Sequence, residues 1–214
     1  KPTGEFAVEA KLGVSSFSGR EASIRVELPS RHNISTSLTA SVDKNDGWVV
    51  NPLPGQANWH RTDRKAVRAT VLWQPSPGVE LQYDWDKSLD GSTAGYSSLM
   101  SLDAADLPIA PLFSVEGKRV RRARGGFILN PSKGTVTGHT LRGSYGIADW
   151  MTINAVASWR ALDQDQWDQS AGLFDAFVPG GEGGRLSFAS VVQHQFNGEV
   201  SAGGQTGNLR YLFG

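Results

Sequence analysis

Strict two-residue alternation constrains this chain more than any other feature. In "REASIRVELPSRHNISTSLTASV", Ala22, Ile24, Val26 and Leu28 alternate with Glu21, Ser23, Arg25 and Glu27. Pro29 to Asn33 interrupts the pattern. Ile34, Thr36, Leu38, Ala40 and Val42 then resume it against Ser35, Ser37, Thr39 and Ser41. A period of two puts every second side chain on one face of a strand. The stretch therefore reads as two antiparallel strands with one apolar and one polar face. The apolar face meets either a protein core or lipid, and alternation by itself leaves both open.

The same pattern recurs along the chain, bounded by turn residues. Phe6 to Val14 precedes the pair. Lys65 to Trp73, Val79 to Trp85, His139 to Ile147, Met151 to Arg160 and Val191 to Ala202 follow it, and a last strand begins at Leu209. These make nine strand candidates and an all-β chain. No segment carries a convincing helical period, although Asp103 to Ala110 allows a short helical turn cut by Pro108.

The connections carry more information than the strands. "PSRHN", "QPSPG", "ADW" and "GGQTGN" are tight and follow the second, fourth, sixth and eighth strands. The connections after the third, fifth and seventh strands are long, and "SSFSG" after the first is the short exception. In an up-and-down meander all the tight turns then share one end. A membrane barrel has that asymmetry, with short turns on one side and long loops on the other. Trp73 and Trp150 fall by the tight-turn end. Tyr83, Trp85 and Trp159 fall towards the loop end. Together they form two aromatic bands like the girdles of a membrane barrel, although ordinary core packing accounts for any one of them.

Composition narrows the alternatives. Lys plus Arg and Asp plus Glu both number 21 in 214 residues, so net charge gives no argument for nucleic acid. No apolar run approaches the roughly 20 residues of a membrane helix, which leaves strands of about 9–11 residues as the only spanning element to consider. Cys is absent, while 25 Gly and 7 Trp suit a chain rich in turns and aromatic anchors. The chain opens on Lys1 and stops in mid-alternation at "LRYLFG", so it is expected to be an internal stretch of a longer protein.

Several segments together resemble the β-barrel of TonB-dependent outer-membrane receptors. "KPTGEF" is similar to the junction between that family's plug and its first strand. "SLTASVDKNDGWVVNP" is similar to its third strand running into a loop, and "RATVLWQPSPGVELQYDWD" to its fourth and fifth strands around a short turn. "MTINAVASWRALDQDQWDQ" and "GNLRYLFG" are similar to later strands. The resemblance covers nearly the whole chain apart from residues 91–136. It implies that residues 1–214 are one part of a transmembrane barrel of about 22 strands, with the plug and remaining strands absent. It also implies a place in the bacterial outer membrane, uptake of a scarce ligand such as a ferric siderophore, energy from TonB through the missing plug, and contact with outer-membrane lipid. A soluble antiparallel β-domain that binds carbohydrate is the competing expectation. It requires a second layer over Val26, Leu38 and Val71.

Candidate sites are few. "GWVVNPLPGQANWHR" supplies Trp48, Trp59, His60 and Arg61, which combine flat apolar faces with polar tips suited to a chelate or sugar. Clamping of the loop is the equal alternative for these residues. "GKRVRRARGG" supplies Lys118, Arg119, Arg121, Arg122 and Arg124, able to pair with phosphates or an anionic ligand. Aromatic platforms are not interleaved with them, so nucleic acid is not expected as a partner. "DKSLDG" begins like a calcium loop at Asp86, but Ser97 stands where the closing carboxylate should be. "DQDQWDQ" reads as a solvated acidic loop. The four His lack ligand spacing, and no nucleophile elbow, P-loop or complete dinucleotide fingerprint appears. No cofactor, metal or enzymatic activity is expected. Parity assigns Arg25, Arg68, Gln82, Arg142 and Glu199 to the barrel interior.

Overall fold

The computed structural model describes residues 1–97, 118–123, 128–169, 177–178, 181–182 and 186–214. Nine strands form one antiparallel sheet in the order in which they occur along the chain. They are β1 (Ala7–Ser15), β2 (Gly19–Arg31), β3 (Ile34–Asn45), β4 (Thr62–Ser76), β5 (Val79–Asp90), β6 (Lys133–Ala148), β7 (Met151–Gln169), β10 (Leu186–Thr206) and β11 (Leu209–Phe213). Between β7 and β10, β8 (Phe177–Val178) and β9 (Gly181–Glu182) make a separate small ribbon that the alternation did not reveal. The expected helical turn at Asp103 to Ala110 lies outside the described residues.

The register gives the sheet two chemically opposite faces. On one, Val26 pairs with Leu38, Leu38 with Ala69, Ala69 with Trp85, Trp85 with His139, His139 with Trp159 and Trp159 with Phe196. This face is bare: Leu12 is 86% exposed, Phe196 72% and Leu38 51%. No second sheet layer covers Val26, Leu38 or Val71 among the described residues, as the soluble-domain alternative would require. The opposite face carries the buried groups of the sheet, and apart from Leu72 they are polar: Glu27, Ser35, Ser37, Thr70 and Asp84. A water-soluble sheet hides its apolar side; this one hides charge and displays aliphatic carbon, the polarity of a lipid-facing barrel wall.

Asp84 is the hub of the inner wall and is 2% exposed. Its Oδ1 accepts from Thr70 Oγ1 at 2.7 Å and from an Arg68 guanidinium nitrogen at 3.2 Å. Its Oδ2 accepts from Gln82 Nε2 at 2.8 Å and from Arg142. These five residues sit on β4, β5 and β6, so one carboxylate ties three strands together with every lone pair engaged. One row towards the loops, Arg160 reaches Asp86 at 3.4 Å across Gly138. A Cβ on Gly138 would lie 2.8 Å from Asp86 Oδ1, so a larger residue there would push that carboxylate aside. The N-terminal segment folds against the same wall. Glu27 accepts from the Thr3 amide at 2.7 Å and from the Thr3 hydroxyl, while Arg25 Nε donates to Glu27 at 2.8 Å.

Strands β5, β6, β7 and β10 run further towards the loops than the alternation indicates. Asp86, Ser88 and Asp90 therefore stand in a row on the inner face of β5. Asp86 and Asp90 are separated by about 14 Å of extended chain and are paired with Arg160 and Arg64 respectively. A calcium loop folds its carboxylates around one point, whereas this strand spaces them along its length and pairs the two Asp with Arg. "DQDQWDQ" likewise belongs to β7 and is not a free loop.

Candidate functional site

The β3–β4 connection (residues 46–61) is held against the connection that follows β5. Its path begins with Gly47, whose φ of +82° is readily adopted by glycine alone. A Cβ there would fall 2.2 Å from the Trp59 carbonyl oxygen. Asn45 Oδ1 accepts the Gly47 amide at 2.9 Å and closes the bend. The Trp59 amide then donates to Val49 O at 3.0 Å, the His60 amide to Ala94 O at 3.0 Å and the Thr93 amide to Arg61 O at 2.9 Å. Residues 121–123 add a further edge: the Val50 amide donates to Arg121 O, and the Ala123 amide to Val50 O, both at 3.0 Å.

Two groups separated in the sequence are thus brought together. Trp59 is 0% exposed and packs with Val49, Ala123 and Leu129. Its indole N–H donates to Ala123 O at 3.1 Å, and its ring meets Tyr96 edge-on at 5.3 Å. Of the two expectations for Trp59, ligand contact and loop clamping, this placement serves clamping. Trp48 is half-buried, stacks on His60 at 3.8 Å between centroids, and has the Arg119 guanidinium 4.3 Å from its ring centroid. Arg61 is engaged with Asp63 at 3.0 Å. Arg121 and Arg122 are exposed beside the cluster. The result is a half-buried Trp48–His60 stack whose indole already carries the Arg119 guanidinium, with Arg121 and Arg122 exposed beside it. The exposed guanidinium groups of this cluster suit an anionic ligand.

His60 holds a positive φ of 60°, uncommon away from glycine. Gly95 makes room for it, since a Cβ there would approach His60 Cε1 to 2.8 Å. The Tyr96 amide donates to His60 Nε2 at 2.9 Å, so the bonded nitrogen presents a lone pair. Burial, followed by the positive charge of Arg119, holds the imidazole pKa below its ordinary 6.5. Tyr96 and Arg119 complete the cluster, yet Tyr96 carries no local signal in the sequence and Arg119 stood only as one member of a basic run.

The aromatic-band residues Trp73, Tyr83 and Trp159 project from the apolar face, each more than a third exposed, and Trp85 shares that face by parity. Tyr83 Oη and His139 Nδ1 hydrogen-bond at 2.7 Å there, satisfying two polar tips on a surface otherwise without partners.

No protein-family model matches the chain, and no curated protein matches it in sequence. Solved structures do. The ferric-catecholate import receptor Fiu from E. coli K12 superposes in its closed form with a TM-score of 0.67 at 15% identity, over 95% of this chain and 29% of that one. Its open form gives 0.69 at 14% identity, over 95% and 32%. The ferric yersiniabactin uptake receptor FyuA from Yersinia pestis gives 0.57 at 13% identity, over 99% and 34%. This is the fold of an import-receptor barrel. The receptor-barrel fold bears out the resemblance read from the sequence, the antiparallel meander included. At these identities the likeness is one of fold, and the chain spans about a third of each receptor's length.

Proposed function

We propose that residues 1–214 form one arc of an outer-membrane receptor barrel that takes up a scarce small ligand such as a ferric siderophore, energised by TonB through a plug outside this stretch. The inverted sheet carries this reading: charge is paired on the polar face, while aliphatic side chains stand bare on the apolar one. The receptor-barrel fold and the loops gathered at one end support it. In this role the Trp48–His60 surface with Arg119, Arg121 and Arg122 receives the ligand from outside. The polar inner wall of Arg25, Arg68, Gln82, Arg142 and Glu199 borders the path inward. Trp73, Tyr83, Trp85 and Trp159 lie in the lipid. The residues act by binding and positioning, with no enzymatic step and no resident metal or cofactor.

The test is Val26→Arg in the full-length protein, with outer-membrane assembly and uptake of a radiolabelled ferric catecholate both measured. An Arg at a lipid-facing mid-depth site costs about 2–4 kcal/mol, so assembly is expected to fall. Normal assembly with undiminished uptake would refute the lipid-facing assignment.

A further inference from the structure

We infer that the outward, apolar face of β2–β5, just beyond its apolar band, carries a binding belt for phosphorylated lipid headgroups. The inference rests on the membrane reading proposed above. Arg20, Lys44, Lys65 and Lys87 come from four successive strands and project from the apolar face by parity. Arg20 pairs with Lys44 across β2 and β3. Lys65, paired with Val42 on β3 and Leu89 on β5, lies diagonal to both Lys44 and Lys87.

The diagonal is level in the membrane. Each of the four cations lies about nine to twelve residues along its strand from the tight turn, which at a strand tilt of about 40° is roughly 23–31 Å above the turns. An outward apolar band is about 25 Å tall, so the stripe lies at its loop-side boundary, where headgroups begin. Below it the same face carries Ile24, Leu38, Val71 and Trp85.

Charge balance separates this stripe from the rest of the strands. Inside, the buried and central carboxylates are matched to cations: Asp84 to Arg68 and Arg142, Asp90 to Arg64, Glu27 to Arg25. Outside, Asp63 is the one acid that β2–β5 present, and it is shared by Lys44 at 3.3 Å and Arg61 at 3.0 Å. Arg20, Lys65 and Lys87 are exposed and without an ion pair among the described residues. A row in which three of four cations are unmatched, beside the headgroup layer, attracts lipid-borne phosphate, with each Lys or Arg adding to the affinity.

The test uses the intact protein in phosphatidylcholine nanodiscs doped with phosphatidic acid, with retained lipid counted by native mass spectrometry. Lys65→Gln with Lys87→Gln is expected to weaken phosphatidic acid retention about fivefold per lysine, or roughly 25-fold for the pair. The charge-matched control, Lys11→Gln with Arg210→Gln, removes two cations from the inner face and is expected to leave retention unchanged. Equal retention by K65Q/K87Q and wild type, or an equal loss in the control, would overturn the belt. Displacement of the lipid by inorganic phosphate would overturn its assignment to lipid. Wild-type protein recovered outside the membrane would overturn the barrel reading as well, a result distinct from assembled protein that ignores the lipid.

Discussion

His60 couples the loop cluster to pH. Its folded pKa lies below the ordinary 6.5 because the ring is partly buried and faces Arg119. A group whose pKa is lowered on folding binds fewer protons in the packed state than in the open one. Packing is therefore fully stabilised above pH 6.5 and weakens as pH falls below it, down to the folded pKa. Protonating Nε2 also removes the acceptor for the Tyr96 amide. Exchange of the Tyr96 amide, corrected for intrinsic rates, should be faster at pH 5 than at pH 7.5, and His60→Phe should abolish that difference. Asp84 belongs to the inner wall. Asp84→Ala leaves Arg68 and Arg142 without their acceptor, but both side chains are about half exposed and turn to water. The expected loss is about 2–3 kcal/mol, below that of a fully buried pair, read as a shift in denaturant unfolding of the intact protein. Trp48, Trp59, His60 and Arg61 were legible as a cluster because aromatic and basic residues crowd one loop. Trp59's enclosure was not, since its partner Ala123 is 64 residues away.

At the scale of the element, the tight turns carry the register. His32 and Asn33 have φ values of 51° and 62°, two left-handed residues in a row, as a type I′ hairpin turn requires. Asn33→Ala should cost about 1 kcal/mol and Asn33→Gly should not, a contrast measurable by unfolding of the two variants. The nine strands and their order were legible because each has a lipid side and a wet side, and that difference enforces a period of two. Strand ends towards the loops were not. Above the lysine belt, Val136 and Leu162 sit on the inner face while Thr135 and Asp163 sit on the outer one. Where both faces leave lipid, the contrast that writes the period fades, and β7 was read as ending at Arg160 although it continues to Gln169.

Across the whole molecule, stability depends on closure. β1 and β11 are the two edges of the nine-stranded sheet, and neither lipid nor water tolerates a long row of unpaired backbone groups. Residues 1–214 expressed alone should aggregate or remain protease-sensitive in detergent, whereas the intact protein should give a folded, protease-resistant barrel. A soluble, monomeric β-sheet product from the isolated stretch would contradict the barrel reading. The bare apolar face points the same way, because it needs lipid over it while the polar face is served by its own ion pairs.

The unequal connections also set a timetable for assembly. β2 with β3, β4 with β5, β6 with β7 and β10 with β11 are joined by two-residue turns, so each pair can zip locally. Joining β5 to β6 means closing roughly forty residues of chain, which costs about 2–3 kcal/mol more in loop entropy than a two-residue turn. The barrel arc is therefore expected to arise hairpin by hairpin, with the surface formed by residues 46–61 and 118–123 completed last.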